Sequence, residues 1–221
     1  MKNLTLIVPA KNEPESLPIV LNELEKFEYK ICIVLHGTDT KTIESIKDYD
    51  VNIIYQKNFG YGDAIIEGIN NCNTEYFCIF NADGSFNPSE IDGMFESMQT
   101  RNLDFIFASR YESNSGSEDD TILTLIGNYI FTYIGKIFFR LNVSDILYTF
   151  LIGRTIKAKK LNLSQKDFSF CVELPIKAKK NEMKLGSINA FERKRIAGKK
   201  KVNAFKDGFL ILLHMIKLFF K

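Results

Sequence analysis

Along the first half of the chain, short β-rich apolar runs alternate with segments of helical period, and no other feature restricts the fold as much. Leu4-Thr5-Leu6-Ile7-Val8 is the first such run. Asn12 with Glu15 three residues later has the spacing of a capping box, and Leu17, Val20, Leu21, Leu24 and Phe27 share one face of the helix it would open. Ile31 to Leu35 and Val51 to Tyr55 read as strands, Gly62 to Asn71 as a helix, and Tyr76 to Phe80 as a buried strand. Pro88 suits a first helical turn; the helix it opens has Ile91, Met94, Phe95 and Met98 on its inner face and leads to a strand at Asp104 to Ala108. Such alternation predicts an α/β fold, Rossmann-like, with a mostly parallel central sheet flanked by helices. A chain of 221 residues has room for one such domain and an appendage.

Open sheets of this kind bind ligands beyond the carboxyl ends of their strands. Pro9-Ala10-Lys11-Asn12-Glu13, Leu35-His36-Gly37-Thr38 and Asn81-Ala82-Asp83 all fall there, so three loops converge on one crevice. In extended backbone, residues i and i+2 project to the same side, so Asn81 and Asp83 can reach one divalent cation, Mg²⁺ or Mn²⁺, while Ala82 faces the core. A plain Asx turn would use the same residue types. The Gly60/Gly62 pair suits either a backbone that closes onto a ligand or a helix-entry turn.

Charge is divided along the chain. Residues 1–150 carry 11 Lys/Arg against 22 Asp/Glu, and residues 151–221 carry 18 against 5. A basic block joined to an acidic domain points to an anionic partner. Large apolar residues from Phe205 to Phe220, set between Lys206, His214, Lys217 and Lys221, favour an anionic membrane surface through an interfacial helix. Interleaving with aliphatic residues and the lack of any nucleic-acid module argue against a nucleic-acid partner. No charge-free apolar run reaches the eighteen or so residues of a spanning helix, Thr121 to Gly135 coming nearest before Lys136, so attachment without spanning is expected. The N-terminal residues enter a strand directly and lack the cleavage pattern of a secretory signal. The expected location is therefore cytoplasmic, peripheral on the inner face of the membrane. Cys32, Cys72, Cys78 and Cys171 have no metal-ligand spacing and read as reduced, structural thiols.

With its loops in order, the chain resembles the family 2 glycosyltransferases of the GT-A fold, in particular their polyprenyl-phosphate (dolichyl-phosphate mannosyltransferase-like) branch. Val8-Pro9-Ala10-Lys11-Asn12-Glu13 is similar to the family's opening strand and nucleotide-contacting loop, and Asn58-Phe59-Gly60-Tyr61-Gly62 to its Gly-rich helix start. Asn81-Ala82-Asp83-Gly84-Ser85 occupies its metal motif, usually Asp-x-Asp. Ser109-Arg110-Tyr111, Gly127-Asn128, Ser144-Asp145, Phe170 with Glu173-Leu174, and Arg195 with Gly198 and Lys201 fall where later family elements lie. The resemblance implies a nucleotide diphosphate sugar donor, UDP- or GDP-linked, a divalent cation at Asn81 and Asp83, and Asp145 near the acceptor. Arg110, Arg195 and Lys201 are candidate phosphate clamps, while Lys199, Lys200 and Lys201 also read as a solvated charge run. Two departures stand out. The second strand ends Leu35-His36-Gly37-Thr38 where the family has Asp-Asp-Gly-Ser, leaving His36 either to contact the nucleotide or to be solvated, and the metal motif lacks its first carboxylate.

The expected organisation is a nucleotide-sugar-binding core at 1–112, an acceptor-side part of the same domain at 113–202 and an amphipathic interfacial helix at 203–221. The leading expectation is an inverting, metal-dependent glycosyltransferase moving a hexose to a polyprenyl phosphate, in a chain able to form a homo-oligomer. A family 2 enzyme with a saccharide or soluble acceptor, or a non-catalytic nucleotide-sugar-binding relative, are the alternatives.

Overall fold

The computed structural model describes residues 3–198 and 200–220. Met1, Lys2, Lys199 and Lys221 lie outside them, and so do the readings above that fall on Lys199 and Lys221. Nine strands and eight α-helices are present among the described residues: β1 Leu4–Pro9, α1 Leu17–Leu24, β2 Lys30–Leu35, α2 Thr40–Ser45, β3 Asn52–Tyr55, α3 Tyr61–Asn71, β4 Tyr76–Ile79, α4 Glu90–Thr100, β5 Phe105–Ser109, β6 Gly116–Ser117, α5 Ile122–Phe139, β7 Leu151–Arg154, α6 Thr155–Lys160, α7 Phe170–Lys180, β8 Leu185–Asn189, β9 Phe191–Glu192 and α8 Ala204–Phe219. Seven strands form the central sheet in the order β3-β2-β1-β4-β7-β5-β8, and β6 pairs with β9 in a small second sheet. The pairs β1–β2, β1–β4, β2–β3 and β5–β8 are parallel, whereas β7 runs antiparallel between β4 and β5.

Both faces of the sheet are covered, which is why the strands read as unbroken apolar runs. Alternate residues divide between the faces. Leu4, Leu6, Val8, Ile33, Leu35, Cys78 and Phe80 pack with residues of α1 and α4. Ile7, Cys32, Val34, Phe77, Ile79, Phe105 and Phe107 face α3, α7 and the inner residues of α8. All four cysteines are free and buried, and burial pushes the Cys32 thiol up to about 11 and the Cys171 thiol up to about 12.

Two local expectations change. The first helix begins at Leu17 behind Ser16, with Pro in its first turn, not at a capping box on Asn12. Asn12 instead adopts φ 53°, a left-handed conformation that Asn tolerates, and leaves 12–16 as loop. The aromatic segment forms an eighteen-residue helix, α5, with mean hydropathy 1.5 and 17% of it buried; by length and composition alone it could cross a membrane, Lys136 included. Its inner face is tied to the domain, however. Asn128 Nδ2 donates to Tyr111 Oη at 2.7 Å, and Thr132 Oγ1 accepts from the Ile146 N–H at 3.2 Å. Helix α8 lies against α5 and α7: Ile211, His214, Met215 and Leu218 are buried, and Lys180 Nζ donates to the Leu218 carbonyl at 2.5 Å.

Candidate functional site

The carboxyl ends of β1, β2 and β4 meet as expected of a parallel sheet, and hydrogen bonds join their loops. Beyond Pro9, the Ala10 N–H donates to the Val34 carbonyl at 2.9 Å and so extends the β1–β2 ladder. The Asn12 N–H donates to Asp39 Oδ2 at 2.6 Å, and the Glu13 N–H to Thr42 Oγ1 at 3.0 Å. Asp39 also caps α2 through the Thr42 N–H. The carboxylate one place beyond Thr38 is thus committed to shaping these two loops. His36 stacks on Phe59, with ring centroids 4.0 Å apart, and its Nδ1 lies 2.7 Å from Thr38 Oγ1.

The β4 loop forms the turn that its sequence permits. Asp83 Oδ1 accepts from the Ser85 N–H at 3.1 Å, Asn81 Oδ1 accepts from the Phe86 N–H at 3.2 Å, and Asn81 Nδ2 donates to Ser85 Oγ. Ala82 is buried. The other Asp83 oxygen, Oδ2, faces Arg195 at 3.3 Å.

Arg195 arrives on a strap that crosses this loop after β9. The Arg193 N–H donates to the Ser85 carbonyl and the Ile196 N–H to the Asp83 carbonyl, both at 2.8 Å. Arg195 also grips Asp119, with Nη2 2.8 Å from Oδ2, and Lys200 Nζ lies 3.3 Å from the same oxygen. Burial raises the Asp119 carboxyl, but Arg195 and Lys200 outweigh it and hold the group below its ordinary pKa. Lys201 Nζ sits 2.6 Å from Glu13 Oε1, and Ser16 Oγ donates to Glu13 Oε2 at 2.7 Å. Arg195 and Lys201, far from the first loop in sequence, therefore stand over the ends of β4 and β1.

Arg110 and Asp145 are placed differently from a clamp and an acceptor-facing carboxylate. Asp145 is fully buried and accepts from Arg110 Nε at 2.7 Å, Nη2 at 3.1 Å and its backbone N–H at 3.4 Å. Arg110 Nη1 lies 3.0 Å from Glu192 and 3.4 Å from Asp120, and the guanidinium covers the Tyr148 ring at 4.4 Å. Three carboxylates surround Arg110, and its Nε, Nη1 and Nη2 atoms all face them. Burial works against its charge, yet Asp145 and Glu192 raise its pKa well above the ordinary value. Burial also pushes the Glu192 carboxyl up, opposed by Arg110.

The glycine pair is likewise explained within the chain. At Gly60, with φ 139°, a Cβ would collide with the Lys166 carbonyl, and at Gly62 it would meet the Gln165 carbonyl and lie 2.8 Å from Phe170 Cβ. The close approach is to residues 165–167. That loop is held by the fully buried Glu173, which accepts from Ser164 N–H and Gln165 N–H, both at 2.9 Å, and pairs with Lys177 at 2.8 Å. Asp119, Asp120 and Glu192 are not singled out by the sequence; the run Glu118-Asp119-Asp120 is the visible mark of the first two, and Glu192 carries none.

Among the described residues no three His, Cys, Asp or Glu side chains gather as a metal cluster. The chain offers one carboxylate, Asp83, and one amide oxygen, Asn81. That donor set fits Mg²⁺ held by one or two protein oxygens with substrate phosphates and water completing the shell.

The sequence profile described as Glycosyl transferase family 2 matches residues 5–161. A UDP-N-acetylglucosamine–dolichyl-phosphate N-acetylglucosaminyltransferase of Methanococcus voltae is 24% identical over 85% of this chain and 84% of its own length. An undecaprenyl-phosphate 4-deoxy-4-formamido-L-arabinose transferase of Photorhabdus laumondii is 28% identical over 41% of this chain and 32% of its own. Among solved structures, glucosyl-3-phosphoglycerate synthase of Mycobacterium tuberculosis, in complex with Mn²⁺, UDP and glucosyl-3-phosphoglycerate, superposes with TM-score 0.74 at 9% identity, covering 98% of this chain and 80% of that one. The sheet order, the loops gathered at its carboxyl edge and the profile match over most of the chain agree that this protein belongs to glycosyl transferase family 2 and has the GT-A fold.

Proposed function

We propose that the protein transfers a hexose from a nucleotide diphosphate sugar to a polyprenyl phosphate at the cytoplasmic face of a membrane. The observation that carries this reading is continuity. The strap that sets Arg195 over Asp83 and Lys201 over Glu13 runs on into α8, whose outer face exposes Phe205, Phe209, Leu213, Ile216 and Phe219. Helix α5 adds Ile126, Tyr129, Ile130 and Tyr133, and the two helices meet through Phe138 and Phe219, ring centroids 5.8 Å apart. Exposed Lys136, Arg140, Lys206 and Lys217 border this surface. Apolar side chains flanked by cations suit an anionic lipid interface. A groove of about 650 Å³ lined by Tyr129, Ile130, Tyr133 and Lys136, with Glu112 and Ser144 also in its wall, opens on the α5 side of this surface. The dolichyl-phosphate and undecaprenyl-phosphate relatives point the same way.

Asp83 and Asn81 would hold a Mg²⁺ or Mn²⁺ ion, which when bound supplies positive charge to the leaving diphosphate. Arg195 and Lys201 add fixed cations from the strap, Arg195 sharing Asp83 with the metal. The acceptor phosphate has a second pKa near 6 and is largely ionised at neutral pH. Its oxygen attacks the anomeric carbon as the bond from that carbon to the diphosphate breaks, so the nucleoside diphosphate leaves with the bonding electrons and configuration inverts. No protein base is required, in keeping with an Asp145 that is wholly engaged by Arg110.

The test supplies membranes containing the protein with polyprenyl phosphate and each common UDP- or GDP-sugar, in Mg²⁺ and in Mn²⁺, and follows labelled lipid. Labelled lipid that disappears with Asp83→Ala supports the proposal. Label found only on added saccharide or small acceptors assigns a soluble acceptor instead, and no transfer across the panel favours a non-catalytic relative.

A further inference from the structure

Leu35 and His36 stand where the family has two acidic residues at the end of the second strand, and aromatic rings from the next strand and its loop gather beside them. Tyr55 stands opposite Leu35 in the β2–β3 register, His36 follows Leu35, and Phe59 stacks on His36. Two of these rings are left to solvent, Tyr55 56% and Phe59 65% exposed, and His36 is half-buried. The Tyr55 ring also flanks Gly37, where a Cβ would lie 3.7 Å from its Cδ1. We propose that Phe59 and His36, with Tyr55 beside them, are the platform on which the base of the nucleotide donor stacks, so that Phe59 and Tyr55 are donor-binding residues of this site. The inference rests on the donor reading given above.

Sheet geometry puts the platform at the right remove from the diphosphate. Asp83 follows β4 and His36 follows β2, with β1 between them. Neighbouring strands are about 4.8 Å apart, so the two loops are offset by roughly 10 Å across the strand ends, the reach of a nucleoside beyond its diphosphate. The intervening β1 loop carries Glu13, bound by Lys201.

The platform is stiff although its rings are exposed. Asn58 donates from its backbone N–H and from Nδ2 to Asp63, at 3.1 and 3.0 Å, and Gln56 Nε2 donates to the Gly60 carbonyl at 3.2 Å. Phe59 is therefore presented on a turn fixed from both sides. A ring held in place loses little freedom on stacking, which favours binding through it. Asp39, three residues beyond His36, is already bound to the Asn12 and Thr42 N–H groups. Recognition here falls to ring faces, and because every base has such a face, stacking discriminates weakly between bases. The site should thus take uracil and guanine nucleotides with similar affinity.

Calorimetric titration of the full-length protein with UDP, GDP and inorganic pyrophosphate, each in Mg²⁺, tests this. Phe59→Ala should raise the dissociation constants of UDP and GDP by roughly tenfold, within the range found on removing base-stacking aromatics, and leave pyrophosphate unchanged. Phe59→Tyr should restore both nucleotides. Unaltered UDP and GDP binding in Phe59→Ala overturns the platform, and so does an equal loss of pyrophosphate, which would mean a deformed loop. A wild type that binds pyrophosphate but shows no gain from either nucleoside overturns it too. Wild-type protein that binds none of the three removes the donor reading itself.

Discussion

Asp145→Ala offers a sharp test of how the interior of the site is held. Asp145 is fully buried and takes three hydrogen bonds from Arg110, itself only 8% exposed. Removing one partner of a buried pair typically costs about 3–5 kcal/mol, because the remaining charge stays desolvated. Glu192 at 3.0 Å and Asp120 at 3.4 Å still face the guanidinium, so the loss should fall near the lower limit, about 3 kcal/mol. For a chain of this size that lowers the melting temperature by roughly 6–12 °C. Urea unfolding of wild type, Asp145→Ala, Arg110→Ala and the double variant is the measurement. The double variant should be about 2 kcal/mol or more less destabilised than the summed singles, since both substitutions break the same contact. Additivity within about 0.5 kcal/mol would refute the coupling. A fully stable Asp145→Ala that had lost transfer would refute the structural role and return Asp145 to the acceptor.

Three further outcomes are expected. Gly62→Ala should lower the melting temperature and disturb residues 165–167, because its Cβ meets the Gln165 carbonyl and Phe170; differential scanning calorimetry checks it, and an unchanged transition would contradict the packing. Hydrogen bonds from Lys177, Gln165 and Ser164 overcome the burial of Glu173 and lower its pKa, so its contribution is complete above the ordinary carboxylate range and lost as pH falls through the lowered folded value. Glu173→Gln should therefore be less stable than wild type at neutral pH, with the gap closing towards acid in urea titrations at pH 7 and pH 4. Asn81→Asp should bind Mn²⁺ several-fold more tightly by calorimetry, since it adds a carboxylate beside Asp83; equal affinity would take position 81 out of the cation site.

The strands were legible because burial on both faces leaves an unbroken apolar run, which Leu4 to Val8 and Tyr76 to Phe80 display without any partner in view. β7 and β8 were not marked. Leu151–Arg154 is short and becomes a strand by slotting antiparallel between β4 and β5, a pairing that only the completed sheet provides. The capping pattern at Asn12 failed for a related reason: Asp39 and Thr42, some thirty residues away, claim the N–H groups of Asn12 and Glu13 and draw the loop out of the helix.

By itself the sequence determined the alternation of elements, the three loops at the carboxyl edge and the side-chain inventory of the site, because these follow from local periodicity and from what each residue can bond. Tertiary structure alone decided how the charges are shared. Arg195 reaches Asp83 across 112 positions and Lys201 reaches Glu13 across 188, while Arg110 turns inward to Asp145, Glu192 and Asp120. An arginine's type announces an anionic partner, but which anion it meets depends on where the chain returns, and that is settled only when the sheet is assembled.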